Sequence, residues 1–189
     1  MSRGEWVRLA PGAYAATCEW SRLLPIARHR AIVEEVARRA ATPATYSHFA
    51  AAAEWDIDIL GRWPVRVDQC HAGASGARSA GMIRRRLVGN DVPQTVDWGR
   101  HRLTTPAQTA LDLARILPFV QAVAAIDQAV WIERPGGALT TPADIDSLAA
   151  ASPQRQGTPR ALRALAASEQ LAANVRESQT RVVIRSLGF

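Results

Sequence analysis

The chain has 189 residues and a formal net charge of +6, from 23 basic against 17 acidic side chains. A content of 48% hydrophobic and 21% charged residues is typical of a chain that folds around an apolar core, and it argues against intrinsic disorder. No run of about 18 apolar residues and no apolar N-terminal run with a cleavage site occurs, so we expect neither a membrane span nor a signal peptide. These observations predict a cytoplasmic protein with no membrane partner.

All basic residues are arginines, because the sequence contains no lysine. Arginine binds phosphate groups through paired hydrogen bonds and stacks on bases, so the composition is compatible with a polyanionic partner. A chain rich in alanine and arginine is equally typical of GC-rich coding DNA. Both explanations stay open, and the charge alone gives weak support for nucleic-acid binding.

The cysteines and histidines do not form a recognisable metal motif. Two cysteines do not make a disulfide framework, and we expect both to be reduced, partly buried thiols. The four histidines are scattered without ligand spacing, which favours surface or helix-capping positions over metal binding. We therefore expect no metal and no cofactor.

The N-terminal third predicts a hairpin followed by two helices. Two short β-prone runs flank the turn Pro11–Gly12, which predicts a β-hairpin. Apolar residues then recur at helical spacing from Pro25 until shortly before Pro43. Ser47 is expected to cap a second, shorter helix that ends near Trp55.

The middle of the chain predicts short strands, and the last third predicts helices. Strand-like alternation appears around residues 65–67, 82–88, 92–98 and 102–104. Helical patterns then begin near Thr105, Phe119, Thr141, Thr158 and Asn174. Three of these starts carry a Thr-Pro pair and the last carries an Asn, which are typical residues at helix N-termini. Strands and helices do not alternate regularly, so the predicted class is α+β, with a wing-like hairpin, a small mixed central sheet with flanking helices, and a helical C-terminal tail.

No complete catalytic constellation is present in the sequence. A phosphate loop of the G-x-x-x-x-G-K type needs lysine, and the Gly73–Gly76 stretch has the character of a solvated turn. No G-x-S-x-G nucleophile elbow occurs, and the close pairs of aspartates have no further partners that would hold a metal. We therefore expect neither an enzyme nor a small-molecule substrate.

The densest basic cluster is the triplet Arg84, Arg85 and Arg86. Such a cluster could contact DNA phosphates, which requires only surface charge. Alternatively, it could be a solvated strand at a sheet edge, where charge discourages aggregation. Arginine on both faces of this stretch argues against a fully buried strand.

Three segments in the same order resemble the AbiEi-type antitoxin family of actinobacteria. Residues 3–15 resemble the wing hairpin of that family, and residues 46–52 resemble its short Ser-His-x-x-Ala-Ala helix. Residues 102–114 are similar to its T-x-P-A-x-T-x-x-D-L-A segment, which is the most specific match. Residues 122–131 add a weaker similarity.

The resemblance implies a DNA-associated transcriptional regulator of a type IV toxin–antitoxin system. Family members have a winged helix-turn-helix, a middle antitoxin domain and, in many cases, a domain resembling very-short-patch-repair endonucleases. Residues 1–20 would then be the remnant of the wing hairpin, residues 21–150 the middle α+β domain, and residues 151–189 a helical linker with the first helix of the endonuclease-like domain.

The sequence departs from this family plan at both ends. Recognition helices supply base contacts in such proteins, and none precedes Arg3. We therefore expect weak, phosphate-directed DNA contacts, with Arg3, Arg8, Arg84, Arg85 and Arg86 as the candidate residues. Glu177 matches an acidic residue of the endonuclease-like helix, although an acid at a helix N-terminus is the simpler interpretation.

Two other function classes remain open at this point. The chain could be a non-catalytic remnant of the endonuclease, because the remaining ligands of a metal site are missing. It could also be a protein-interaction module whose helical tail binds a toxin or a second copy of the chain.

Overall fold

The computed structural model describes residues 5–71, 79–88 and 92–188. Arg3 and the Gly73–Gly76 stretch lie outside the described residues. Within that part of the chain, the strands are β1 (Trp6–Ala10), β2 (Ala13–Ala16), β3 (Thr45–Tyr46), β4 (Val67–His71), β5 (Ile83–Leu87), β6 (Thr95–Trp98) and β7 (His101–Thr104). The helices are α1 (Thr17–Arg22), α2 (Pro25–Arg39), α3 (His48–Glu54), α4 (Pro106–Ile116), α5 (Phe119–Val130), α6 (Pro142–Ala151), α7 (Thr158–Ala166) and α8 (Val175–Ser186).

The strands form two separate sheets. β1 and β2 make an antiparallel hairpin, while the other strands form a sheet with the order β5-β4-β3-β7-β6. In this second sheet β4 runs parallel to β5 and β3 parallel to β7, whereas β3–β4 and β6–β7 are antiparallel. The mixed sheet and the helices that follow it confirm the α+β class. The pairing of β1 with β2 confirms the N-terminal hairpin.

The apolar core has two main parts. The larger part lies among α3 to α8, and the smaller part lies between α2, α3 and strands β3, β4 and β7. The burial of α4 and α5 agrees with their apolar sequences, and Val182 brings α8 into the larger core. The division of the chain into three parts, with boundaries at residues 20 and 150, stays a prediction.

Helix caps account for several of the predicted helix starts. The hydroxyl of Thr105 accepts a hydrogen bond from the backbone N–H of Gln108, and Thr141 and Asp144 form a reciprocal capping box. These side chains satisfy backbone donors at the helix N-terminus that have no partner within the helix. A Thr-Pro pair is therefore a local signal of a helix start that can be recognised from the sequence alone.

The structure corrects other expectations of the sequence. Two short elements, α1 and β3, were not predicted, since neither is long enough to show a clear periodicity. Ser47 stands at the N-cap of α3, but its side chain makes no capping bond. Instead, its Oγ lies 3.0 Å from Nδ1 of His48.

The histidines and cysteines also differ from the expectation. Three of the four histidines are buried rather than at the surface: His29, His48 and His101. Both cysteines are free thiols, but Cys18 is exposed and only Cys70 is partly buried. Aromatic side chains from elsewhere in the chain pack against two of the buried imidazole rings, Trp63 against His29 and Tyr46 against His101, and no local sequence pattern indicates this.

No helix in the described part of the chain combines the length and the apolar character that crossing a membrane requires.

Candidate nucleic-acid interface

The hairpin presents an aromatic and basic face to solvent. Arg8 pairs with Tyr14 across the two strands, and Trp6 lies two residues before Arg8. Since cross-strand partners and residues two apart share one face of a strand pair, these three side chains project together. Trp6 is 49% exposed and Tyr14 56% exposed, and Arg8 is exposed as well. We call Trp6, Arg8 and Tyr14 the hairpin face.

The hairpin turn is fixed to the end of α2. The guanidinium of Arg39 donates hydrogen bonds to the carbonyl oxygens of Pro11, at 2.5 Å, and Gly12, at 3.1 Å. Gly12 has φ +74°, and a Cβ there would lie 3.2 Å from Arg39 Nη1. Glycine therefore suits both the backbone conformation and the close approach of Arg39. These contacts hold the hairpin face in a defined position.

Two arginines of the triplet face a buried carboxylate. Asp68 on β4 is fully buried and accepts two hydrogen bonds from Arg84, at 2.5 and 2.8 Å, and one from Arg86, at 2.8 Å. The parallel register pairs Asp68 with Arg84 and Cys70 with Arg86, so alternate residues of β4 and β5 meet on one face of the sheet. Arg84 also lies over the ring of Phe49, at 5.4 Å from its centroid.

These contacts keep Asp68 ionised. Burial raises the pKa of a carboxyl group, but the hydrogen bonds from Arg84 and the charge of Arg86 outweigh that effect, and the pKa of Asp68 is lowered. The side chains of Arg84 and Arg86 are only 29% and 21% exposed, and their guanidinium groups are directed inward at Asp68. Arg84 and Arg86 are thus charge partners of Asp68, and their role in DNA binding stays a prediction.

Among the members of the predicted set that the structure describes, Arg85 and Arg8 are exposed. Arg85 projects from the opposite face of β5, which is an edge strand of the described sheet, and its backbone N–H donates to Ser79 Oγ at 3.2 Å. Of the four arginines that the structure describes, Arg8 and Arg85 are therefore exposed, whereas Arg84 and Arg86 are directed at Asp68.

A second buried carboxylate, Asp112 on α4, extends the interior cluster. Its Oδ1 accepts a hydrogen bond from Gln108 at 3.0 Å, and it lies 3.4 Å from Arg155 and 3.6 Å from Arg115. His48 lies in the field of both aspartates, yet its pKa is lowered, because burial outweighs their charge. We call Asp68, Asp112, His48 and the arginines that pair with the two aspartates the charge cluster.

Sequence reasoning missed the charge cluster. Its members come from β4, β5, α3, α4 and the segment between α6 and α7, which are distant in the chain. No local sequence pattern indicates the cluster, and only the structure shows that His48 lies in the left-handed region, with φ +49°. A non-glycine residue in this region is strained, and such strain is frequent at functional sites.

The charge cluster lacks the features of a nucleophilic or metal site. Burial raises the pKa of the Cys70 thiol to about 11, so the thiol is protonated at neutral pH. Within residues 5–71, 79–88 and 92–188, no three His, Cys, Asp or Glu side chains gather as a set that could hold a metal ion. The cluster is therefore best described as a buried set of ion pairs.

Glu177 has a local structural role at the start of α8. Its carboxylate accepts hydrogen bonds from the side-chain amide of Asn174, at 2.6 Å, and from the backbone N–H of Ala173, at 2.8 Å. Asn174 in turn caps the helix by accepting from the backbone N–H groups of Arg176 and Glu177. This arrangement agrees with the simpler interpretation of an acid at a helix N-terminus.

Comparisons with models of known families, with curated proteins and with solved structures found no match. The fold and the site thus define an α+β protein with an exposed hairpin face and a buried charge cluster.

Proposed function

We propose that this protein is a DNA-associated transcriptional regulator that resembles the type IV antitoxins, and that its hairpin face contacts the DNA backbone. The observation that carries the proposal is the exposure of Trp6, Arg8 and Tyr14 on one face of a docked hairpin. Exposed large aromatic side chains cost free energy in water, so a cluster of them next to a guanidinium indicates a binding surface.

The chemistry of the hairpin face suits phosphates and sugars. Arginine binds a phosphate with two hydrogen bonds, and tyrosine hydroxyls are common donors to DNA phosphates. The indole N–H of Trp6 adds a further donor. The net charge of +6 attracts a polyanion over a longer range.

The proposed binding is weak and has little sequence preference. Contacts with phosphates position a protein on DNA but do not read bases, which a recognition helix in the major groove would do. Arg85 could add a phosphate contact, whereas Arg84 and Arg86 would first have to leave Asp68.

Fluorescence anisotropy with a short labelled DNA duplex tests the proposal. We expect measurable binding at low salt that weakens as salt rises, and the slope of log K against log salt should fall by about 0.9 in Arg8→Gln if Arg8 neutralises one phosphate. Arg160→Gln removes an equal charge from the exposed surface of α7 and should change the affinity much less. Equal effects of the two variants, or no binding at low salt, would refute the role of the hairpin face.

A second candidate function is association with another copy of the chain through α8. Val183, Ile184 and Leu187 are 45%, 46% and 68% exposed on this helix, while Val182 is buried against the core. Adjacent exposed apolar side chains favour a protein contact. Sedimentation velocity over a range of concentrations tests this candidate: a concentration-dependent dimer that Ile184→Glu abolishes supports it, and a monomer at all concentrations excludes it.

A further inference from the structure

A cavity of about 440 Å³ lies between the end of α2 and the β6–β7 turn. Its lining includes Trp98, Arg100 and His101 from the turn, and Glu34 and Arg38 from α2. This volume falls within the range of about 300–1,000 Å³ that is usual for small-molecule sites. The cavity is separate from the hairpin face and from the charge cluster.

The aromatic wall of the cavity is held in place by the core. Trp98 is half-buried and packs against the fully buried ring of Tyr46, with centroids 5.4 Å apart and planes at 76°. Its ring also lies 6.1 Å from that of His101. An indole that is fixed on one side and borders a cavity on the other can stack with a planar ligand at a low entropic cost.

The contacts of His101 determine which of its nitrogens carries the hydrogen. Nδ1 accepts from the backbone N–H of Ala44 at 3.2 Å, so Nε2 carries the hydrogen and donates to the carbonyl of Ala37 at 3.0 Å. Arg100 Nε lies 3.3 Å from the same Nε2. The Nε–H of Arg100 therefore points at the imidazole, while its two terminal Nη groups stay available to a ligand.

The charges at the cavity favour an anion that also carries a hydrogen-bond donor. Arg38 forms a two-point ion pair with Glu35, at 3.0 and 2.9 Å, which partly neutralises it. Arg100 is consequently the main cation, and Glu34 supplies a carboxylate acceptor on the α2 side. An aromatic ligand with a phosphate and an exocyclic amino group would satisfy all three features.

We propose that this cavity binds a nucleotide, with the base on Trp98, the phosphate at Arg100 and an amino group of the base donating to Glu34. Bases stack on aromatic side chains regardless of their identity, and carboxylates accept hydrogen bonds from base amino groups. The contact with Glu34 favours the bases that carry an exocyclic amino group, which are adenine, cytosine and guanine, over uracil. The nucleotide could be free or could be an unpaired residue of a nucleic acid, since both present the same groups.

Isothermal titration of the full chain with adenosine 5′-monophosphate, uridine 5′-monophosphate, adenosine and inorganic phosphate tests the proposal. We expect the adenine nucleotide to bind more tightly than the other three ligands. A short single-stranded oligonucleotide that competes for the site would identify nucleic acid as the better source, and a failure to compete would identify the free nucleotide. Absence of saturable adenosine monophosphate binding, or equal binding of inorganic phosphate alone, would overturn the proposal.

Substitutions separate the contributions of the phosphate and the base. Arg100→Gln lies in an exposed turn and should lower the affinity for adenosine monophosphate about tenfold or more, as expected for the loss of a charge-assisted hydrogen bond. It should lower the affinity for adenosine little. Arg160→Gln, outside the cavity, is the matched control and should leave both affinities unchanged.

Further variants distinguish a loss of nucleotide binding from a loss of folding and from a failure of the proposed DNA function. Trp98→Leu should weaken adenosine and its monophosphate equally; its thermal unfolding is measured in parallel, because Trp98 contacts Tyr46. If Arg100→Gln folds normally and still binds the nucleotide with unchanged affinity, the proposal is wrong. Arg8→Gln should not alter nucleotide binding, so failure of the hairpin face and failure of this cavity give distinguishable results.

Discussion

The hairpin face and the charge cluster use the same amino acid in opposite ways. On the hairpin, Arg8 is exposed, and among the described residues its one hydrogen bond goes to the carbonyl of Ala10, at 3.4 Å. On β5, Arg84 and Arg86 are directed at a carboxylate that is fully buried. The comparison teaches that a run of basic residues does not identify a polyanion site. The decisive feature is whether a carboxylate from another strand already neutralises it.

Replacement of Asp68 is expected to have the largest effect. Asp68→Asn keeps the side-chain shape but leaves Arg84 and Arg86 without their counterion, so we expect the free energy of unfolding to fall by about 3 kcal/mol. This value is at the lower end for a broken buried ion pair, because both guanidinium groups retain some solvent contact. Urea unfolding followed by circular dichroism measures the change.

The matched control for Asp68→Asn is Asp97→Asn. Asp97 also pairs with an arginine, Arg102, but at 3.6 Å and with exposures of 86% and 54%. An exposed pair contributes at most about 1 kcal/mol. If both variants lost the same stability, the buried position of Asp68 would not be the source of its contribution.

Acidification should destabilise the protein through His29, which lies next to the charge cluster. Burial, and to a smaller extent the charge of Arg84, lowers the pKa of His29 from its usual 6.5 to about 4, although Asp68 opposes the shift. The unfolded chain therefore takes up a proton that the folded protein resists. Stability is unaffected by this group above pH 6.5 and is lost as the pH falls from 6.5 to 4, by up to about 3 kcal/mol.

Unfolding of the His29→Leu variant, measured at several pH values, tests whether His29 causes the loss of stability in acid. Leucine has no titratable group, so the loss of stability between pH 6.5 and 4 should become much smaller. His71→Leu, at a less buried histidine, should keep the pH dependence of the unsubstituted protein. An unchanged profile in His29→Leu would assign the acid sensitivity to other groups.

Glu54 accepts no hydrogen bond from an arginine within residues 5–71, 79–88 and 92–188, and its pKa is shifted in the opposite direction to that of Asp68. Burial raises the pKa of Glu54 to about 7, with a further increase from Glu34 and a partial offset by Arg30. Because the folded-state value is higher than the unfolded one, stability from the neutral form is present below pH 4.5 and is lost as the pH rises through 7.

Glu54→Gln should consequently stabilise the protein at pH 8 by about 1–2 kcal/mol, after allowance for partial solvent exposure, and should have little effect at pH 4. Thermal unfolding at the two pH values measures this difference. Glu19→Gln, at an exposed position, serves as the control. Equal effects of Glu54→Gln at both pH values would show that ionisation of Glu54 is not responsible.

The smallest effect on stability is expected at the hairpin face. Trp6→Ala removes an exposed ring and should change the free energy of unfolding by less than about 0.5 kcal/mol, while lowering the affinity for DNA. Chemical unfolding and the anisotropy assay measure the two quantities separately. A large loss of stability with unchanged DNA binding would mean that Trp6 is a packing residue. The contrast between an exposed hairpin face and a buried charge cluster would then no longer hold.

Much of the secondary structure followed from local sequence. Alternation around Pro11–Gly12 predicted the hairpin, and Thr-Pro pairs predicted the starts of α4 and α6. The alternation of arginine in β5 also predicted a strand that is not fully buried, and the structure places β5 at a sheet edge. These signals depend on neighbours within a few residues, so they can be recognised without knowledge of the fold.

The sites depend on contacts that only the tertiary structure creates. Nothing near residues 84–86 indicates that Asp68 will neutralise two of the three arginines, because the parallel pairing of β4 and β5 is what brings them together. The cavity beside Trp98 likewise requires α2 to pack near the β6–β7 turn. Caps, turns and periodicity in the local sequence were enough to locate most helices and strands, although the short elements α1 and β3 were missed. The tertiary structure decided which charges are neutralised and which remain available, because that depends on burial and on partners that are remote in the chain.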